Sequence, residues 1–554
     1  MHPAWEIDDI RHLLFEHLEP ASLARLAQTC KIFFNIATDE LWKTITSVSA
    51  FLSCFPLDYR RRPLHVDDLQ RLHFYSAKIR NVILESEGIH RTIRLPPQFN
   101  ASSKMGKVGS DLKTWEQLWS EIATIRPASS FLVNLKCVRV SCIAEELLIP
   151  LVGITGSNIT QIYIKYITNP QKNSTVLRML DQLQDTSKLE YLFVRDSEPD
   201  PVVLKVIQAS PLKHLRLDPR VHGGKHAGFH FKMIPLRLEI LEKSTLEKLT
   251  IGLTRDWCTP QIAASTSKYL PALQTLWLNL TTFVAEDCQN SCINTATPWT
   301  CCGALPNSNQ LAGSQTDCGR RPPTLFFEKL DNPKLSLLNL KFHFNATGSM
   351  FLDIISSLKK SCRLRHLTEL ALAGGGWFNN CGECGARPPP RIKPSELRSA
   401  MTMLLPLPQL RVLRISVAPN FLSILDLDLY RTITGGIQSL EVLSLGHREF
   451  VASSEFDGVV YYERVSLHHL AAFCSMLPNL RKVDVGTVDM TALEGTPQTT
   501  WACHSVKDLV IYNVIGVGRG DETACQSSLR SMVNIFFPSL DGDKGSYPTV
   551  TRYG

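Results

Sequence analysis

Cysteine and histidine are the residues whose types and spacing come nearest to chemistry in this chain. Cys381-x-x-Cys384 lies between glycines and prolines, and Cys288, Cys292, Cys301, Cys302 and Cys318 crowd an earlier stretch. Cys-x-x-Cys supplies two thiolates at zinc-ligand spacing, and the glycines would permit the knuckle turn. A tetrahedral zinc needs two further ligands, which would have to cross from the distant Cys-rich stretch. The simpler expectation is that the 16 cysteines are reduced thiols, many of them small core residues, with no metal and no cofactor. His468 and His469 are adjacent on a predicted helix, so their rings diverge rather than share a ligand. Gly516-x-Gly518-x-Gly520 lacks the complete phosphate-binding fingerprint and reads as a loop. No Gly-x-Ser-x-Gly elbow, Walker loop or His-Glu-x-x-His is present, so no catalytic residue is expected and the chain reads as a non-enzyme.

The elements that would position side chains show themselves by repetition. The phrase Leu-x-x-Leu-x-Leu, with Ile or Val allowed, begins at Ile79, Leu135, Ile159, Leu189, Leu212, Leu246, Leu273, Leu335, Leu367, Leu410, Leu440, Leu480 and Val506. The mean spacing is about 36 residues, inside the range of solenoid repeats. The last two apolar residues of each phrase alternate as a strand demands, so each unit offers one apolar face that only its neighbours cover. Stretches 395–408 and 466–479 have helical periodicity. Pro211, Pro271, Pro333, Pro408 and Pro478 stand one or two residues before the next phrase, where a missing N–H stops a helix and lets a strand begin. An α/α solenoid would explain the helices and leave the strand phrase unexplained.

The pattern resembles a leucine-rich repeat array over residues 75–540, with an insertion at about 284–324, a Cys-containing loop at 374–394 and a tail at 541–554. The Asn that ladders regular arrays, three positions after the last Leu, is replaced here by Arg220, Thr254, Thr281, His343, Gly375 and Arg448. The expected fold class is therefore α/β: an irregular solenoid with a parallel sheet on its concave side and helices on its convex side, preceded by a helical segment.

That segment, residues 1–46, has Ile10, Leu13, Leu14 and Leu18 at helical spacing behind Asp8 or Asp9. Glu19-Pro20 closes the helix before a second one carrying Leu23 and Leu26, and Leu41-Trp42 ends the segment. Fewer than about 40 residues seldom fold without outside help, so its apolar faces must pack on the remainder or on a partner. The order of residues is similar to that of an F-box, and the HPA opening to the expanded F-box families of mushroom-forming fungi. The match departs at Asp8, where a proline is usual, and at Arg11, where an apolar residue is commoner. Residues 47–74 read as a helical junction.

The resemblance implies a substrate-recognition subunit of a Skp/cullin/F-box E3 ubiquitin ligase. By that resemblance Ile7, Ile10, Leu14, Phe15, Leu18, Pro20, Leu23, Leu26, Cys30, Leu41 and Trp42 build or brace the adaptor-facing surface, several also holding the hairpin together. The intervening residues of the strands would display a substrate surface: Tyr163, Lys165, Tyr191, Phe193, Arg195, His214, Arg216 and Trp277, with Asn279 and Tyr512 beyond them. Such an aromatic and basic stripe suits an acidic or phosphorylated protein segment. Two other classes fit the same sequence: a scaffold whose hairpin is only a terminal cap, and an F-box protein acting outside any ligase.

Composition agrees with a globular chain of 554 residues, 44% hydrophobic and 20% charged. The net charge of +7 is mild at this length, so no nucleic-acid partner is expected. No signal-like or membrane-spanning apolar run occurs, so no membrane partner and a cytoplasmic or nuclear location are expected. Asn-x-Ser/Thr triplets at Asn100, Asn158, Asn173, Asn279 and Asn345 then need no glycan.

Overall fold

The computed structural model describes residues 8–59, 62–84, 115–125, 132–141, 158–165, 180–181, 183, 186–195, 201–218, 245–252, 260–280, 324–342, 348–361, 366–374, 399–400, 402, 407–416, 427–445, 464–489, 501–515 and 522–540. The Cys-rich insertion, the Cys381/Cys384 pair, the Gly516–Gly520 run and the tail lie outside these residues. The chain divides into two compact units, 1–234 with 240–246, and 235–239 with 247–554.

The first unit opens with α1 (Asp8–Glu16), α2 (Pro20–Thr29) and α3 (Lys31–Lys43). Pro20 takes the first turn of α2, where its missing N–H costs nothing. Cys30 alone, in extended conformation at φ −157° and ψ 160°, separates α2 from α3. Phe15, Leu23, Ile36 and Ala37 form the core of this hairpin, with Leu26, Ala27, Phe33 and Leu41 packed around them. Phe15 and Phe33 meet edge to face, with centroids 5.8 Å apart.

Next comes a parallel sheet of β1 (Thr44–Ile45), β2 (Asn81–Leu84), β3 (Cys137–Ser141), β4 (Gln161–Lys165), β5 (Tyr191–Arg195) and β6 (His214–Asp218). Between β1 and β2 run α4 (Val48–Leu52), a short 3-10 turn (Val66–Leu69) and α5 (Gln70–Ser76); α6 (Trp115–Ile125) precedes β3 and α7 (Pro201–Ala209) precedes β6.

The second unit carries β7 (Lys248–Gly252), α8 (Pro260–Tyr269), β8 (Thr275–Asn279), α9 (Thr324–Lys329), β9 (Leu337–Phe342), α10 (Gly348–Lys360), β10 (Glu369–Gly374) and β11 (Val412–Ser416). It continues with α11 (Leu427–Gly436), β12 (Val442–Leu445), β13 (Arg464–Ser466), α12 (Leu467–Ser475), β14 (Lys482–Asp489), β15 (Asp508–Ile515) and α13 (Glu522–Phe536). Strands β7 to β12 pair in order, β12 pairs β14, and β14 pairs both β13 and β15, all parallel. Helices α8, α9 and α10 lie side by side, as do α12 and α13, giving the second layer.

Each of the thirteen phrases is a strand, β2 to β12, β14 and β15. Their three apolar positions are buried throughout, with Leu217 the one half-buried exception. This is the leucine-rich repeat pattern expected from the sequence. Leu338 in β9 is fully buried between neighbouring strands. Leu338→Ala is therefore expected to destabilise the second unit by about 2–5 kcal/mol, read as a lower urea midpoint.

The turns explain the prolines. In eight units among the described residues the N–H of the phrase's first residue donates to the carbonyl three residues earlier, and in four of them a proline stands within the turn: Leu273 to Leu270, Leu335 to Asn332, Leu410 to Leu407 and Leu480 to Leu477. Pro271, Pro333, Pro408 and Pro478 fill the second position of these four-residue turns, where their fixed φ is favourable. The next carbonyl along each phrase then accepts two N–H groups from the following unit, as Lys136 does from Thr160 and Gln161, and Arg411 from Glu441 and Val442.

A polar ladder exists as well, on the entry side of the strands. One residue before the phrase, Asn134 donates to the Ala77 carbonyl (2.6 Å), Asn158 to Val133 (2.5 Å), Ser439 to Pro408 (2.7 Å) and Asn479 to Gln438 (2.9 Å). Asn479→Ala is expected to cost about 1 kcal/mol, seen as a small fall in the same urea midpoint.

Candidate protein-interaction surfaces

Two groups of side chains in the first unit stand out, one on the helical hairpin and one on the sheet. In α1, Phe15 turns inward and is 1% exposed, while Leu13 (60%) and Leu14 (44%) face solvent, as does Leu18 (36%) in the following turn. Leu14 and Leu18 are four residues apart and share a side. Ile32 and Phe34 at the start of α3 are also exposed. Exposed apolar side chains gathered on one small element mark a protein-contact surface.

The expected adaptor-facing residues therefore separate into groups. Leu14, Leu18 and Pro20 are exposed; Ile10, Leu26, Cys30, Leu41 and Trp42 are partly buried; Phe15 and Leu23 are core. Ile7 lies outside the described residues. Leu13, the most exposed of the three leucines, was absent from the expected set because sequence spacing alone does not separate two adjacent leucines on one helix.

Trp42 stacks on Tyr75 of α5 with centroids 4.2 Å apart and planes 15° from parallel. Around it, Lys43 pairs with Glu16 (2.9 Å) and Glu40 (3.0 Å), both carboxylates holding its ammonium above its ordinary pKa. Lys78 pairs with Asp39 and sits 4.8 Å over the Phe74 ring. Helix α3 also leads directly into β1, which pairs with β2 through Thr44↔Asn81 and Ile45↔Val82. The hairpin is thus joined to the array by stacking, ion pairs and the sheet itself.

On the sheet, register aligns outward residues into rows. One row runs Arg139↔Tyr163↔Phe193↔Arg216 across β3 to β6, and its neighbour runs Cys137↔Gln161↔Tyr191↔His214. Arg139 lies over the Tyr163 ring and Arg216 over the Phe193 ring, each 4.6 Å from the centroid. Tyr163 stacks on Tyr191 at 4.6 Å and meets Phe193 edge-on at 5.7 Å; His214 meets Tyr191 at 5.5 Å. Burial and the hydrogen bond with Tyr163 push the Tyr191 phenol well above its ordinary pKa, so it stays neutral. Five expected substrate residues, Tyr163, Tyr191, Phe193, His214 and Arg216, are brought together here. Lys165 is in register with Ser141 and Arg195 with Asp218 on the same strands, and their side chains lie outside the described ones. Arg139 was missed, although aligning the phrases puts it in the column of Tyr163 and Phe193.

Trp277 is 38% exposed and belongs to the second unit. There the equivalent rows contain ion pairs. Arg414 meets Glu369 at 3.2 Å, and Lys482 meets Asp508 at 3.3 Å and Asp484 at 3.6 Å. The side chains of Asn279 and Tyr512 lie outside the described ones.

Among the described residues, no group of three or more His, Cys, Asp or Glu is placed to hold a metal, and no helix is long and apolar enough to cross a membrane. Burial pushes the Cys54 thiol up to about 11 and lifts Cys137 and Cys474 above their ordinary value, so these thiols are protonated at neutral pH and poor nucleophiles. The His468 and His469 rings stand 5.8 Å apart at 74°.

Comparison with known proteins adds one assignment. Residues 8–47 match the family model described as F-box-like, so α1 to α3 with β1 are an F-box-like domain. No curated protein matches the chain. Among solved structures, it is similar to the Rad7 and Elc1 complex of yeast, at 14% identity and TM-score 0.34, covering 80% of this chain and 89% of that one. It is also similar to an internalin (inlF) from Listeria monocytogenes, at 10% identity and TM-score 0.27, covering 75% and 82%.

Proposed function

We propose that this chain is a non-enzymatic, cytoplasmic or nuclear substrate-recognition subunit of a Skp/cullin/F-box ubiquitin ligase. The observation that carries the reading is an F-box-like domain whose first helix leaves Leu13 and Leu14 in solvent, with Leu18 beside them. Those side chains supply an apolar contact for the Skp adaptor, Phe15 and Leu23 hold the helices that present them, and the array holds a substrate protein. Ubiquitin transfer gains from proximity, since a fixed joint between adaptor and array keeps the substrate near the conjugating enzyme. The joint's stacking and strand pairing also favour a capping role for the hairpin; one element performs both, through different residues.

Deleting the hairpin would remove β1 and expose the edge of β2, so binding and folding would fail together. The discriminating experiment keeps the chain whole: wild type and Leu14→Asp/Leu18→Asp are co-expressed with the Skp adaptor and complexes are isolated. Adaptor bound by wild type alone, with both chains equally folded, supports the reading. Adaptor bound equally by both contradicts it. Cullin co-purifying with the wild-type complex supports the ligase assignment, and its absence from a stable adaptor complex favours a role outside a ligase.

A further inference from the structure

We infer that the adaptor contact does not end with the F-box-like domain: it continues over the exposed rings of Phe34 and Phe74 to Arg80 of the array, and takes there an apolar side chain of the adaptor with a carboxylate beside it. The inference rests on the hairpin being the adaptor-binding part of the chain. Its first support is the distribution of apolar surface. Of the eleven large apolar side chains exposed among the described residues, eight lie between Leu13 and Phe74. Three of the eight, Leu57, Val66 and Phe74, come after residue 47, where the F-box-like match ends. A protein contact confined to the hairpin leaves these three in water.

The second support is a path that joins the two ends. Phe34 of α3 and Phe74 of α5 stack with centroids 6.2 Å apart and planes 23° from parallel, yet remain 36% and 43% exposed. Tyr75 meets Phe74 edge-on at 5.1 Å and stacks on Trp42, so the exposed pair stands on a packed aromatic base. Rings held in place before a partner arrives lose little freedom on binding. From Phe74 a cleft of about 690 Å³ extends to Glu16. Glu16 stands three residues after Leu13, on the same side of α1. The surface therefore leads from the exposed leucines of α1 to α5 without leaving the first unit.

The third support is chemical. The carboxylates of the cleft are engaged, Glu16 and Glu40 by Lys43 and Asp39 by Lys78. Arg80 also lines the cleft and is exposed, and among the described residues its guanidinium has no ion pair or hydrogen bond. Its five N–H donors suit an acceptor, and its planar edge matches a carboxylate bidentately. Aromatic rings and arginine are the side chains that protein interfaces concentrate. A small molecule fits the cleft poorly, because such pockets are lined mainly by apolar groups and Phe74 is the one large apolar side chain of this lining.

The test uses the full chain and the Skp adaptor. Hydrogen exchange on the wild-type chain, with and without adaptor, needs no mutant to fold, and the expected result is new protection over α5 as well as α1. Calorimetric titration then compares variants whose thermal midpoints are unchanged. Phe74→Ser should raise Kd about thirtyfold and Arg80→Glu about tenfold. Arg80→Lys should weaken binding less than Arg80→Glu, since lysine keeps the charge and loses the fork, and Arg80→Gln should flatten the salt dependence. Binding that is lost in Leu14→Asp/Leu18→Asp but unchanged in Phe74→Ser and Arg80→Glu, with α5 unprotected, would overturn this inference and leave the ligase reading standing. No binding by the wild-type chain would overturn both. A wild-type chain that is dimeric alone and monomeric as Phe74→Ser would overturn the inference too and assign the rings to a second copy of the chain.

Discussion

Replacing Leu14 and Leu18 by Asp is expected to abolish adaptor binding while leaving the chain folded. Both side chains already face solvent, 44% and 36% exposed, so a carboxylate there is hydrated in the free protein and costs little stability. In the complex the same carboxylates would be buried against an apolar surface without a partner. Central apolar anchors typically carry 2 kcal/mol or more each, so losing two of them, with desolvation added, lowers affinity by at least about a thousandfold. Calorimetric titration against the adaptor measures the loss, and an unchanged thermal midpoint shows that folding is intact. A fall in both together would show instead that these leucines support the hairpin.

Phe15→Ala should give the opposite pairing of effects. Phe15 is 1% exposed and packs on Phe33 within the hairpin core of Leu23, Ile36 and Ala37. Emptying that site is expected to cost about 3–5 kcal/mol. Three short helices have little stability beyond their shared core, so α1 and α2 should detach first. Hydrogen exchange should show lost protection over 8–29 with the strands of the second unit still protected. Adaptor binding falls as well, but as a consequence of melting, and it recovers when cooling or a stabilising solute restores the hairpin. An unaltered exchange pattern would mean that Phe15 is not the keystone its burial indicates.

Much of the architecture was legible because it rests on one short apolar code. All thirteen phrases are strands, since an alternating Leu pair ahead of a turn has few other ways to bury itself. Strands β1 and β13 escaped notice because Thr44–Ile45 and Arg464–Ser466 carry no phrase; they pair only because a neighbouring edge is there to receive them. The prolines were read as helix stops, and the structure adds, for Pro271, Pro333, Pro408 and Pro478, a seat in the turn preceding the strand. A polar ladder looked absent because it was sought after the last Leu, whereas Asn134, Asn158, Ser439 and Asn479 reach back from before the first. Asn158, which begins a glycosylation triplet, is one of its rungs.

The interaction surfaces were less legible. A helical period groups Leu14 with Leu18, but only the packed hairpin shows that Phe15 is core and Leu13 is not. Trp42 was expected to build or brace the adaptor-facing surface, and the structure adds that its ring is half-buried and stacked on Tyr75. On the sheet, the residues of the two rows lie far apart in sequence and meet only through register, which the phrases determine once they are aligned.

The most direct measurement is size-exclusion chromatography with light scattering on the full-length chain mixed with the Skp adaptor. The account predicts a 1:1 complex that survives dilution to low micromolar and brings down the cullin when it is added. A well-folded chain that elutes apart from the adaptor would contradict it, leaving a leucine-rich repeat protein whose helical hairpin serves only to close the end of its sheet.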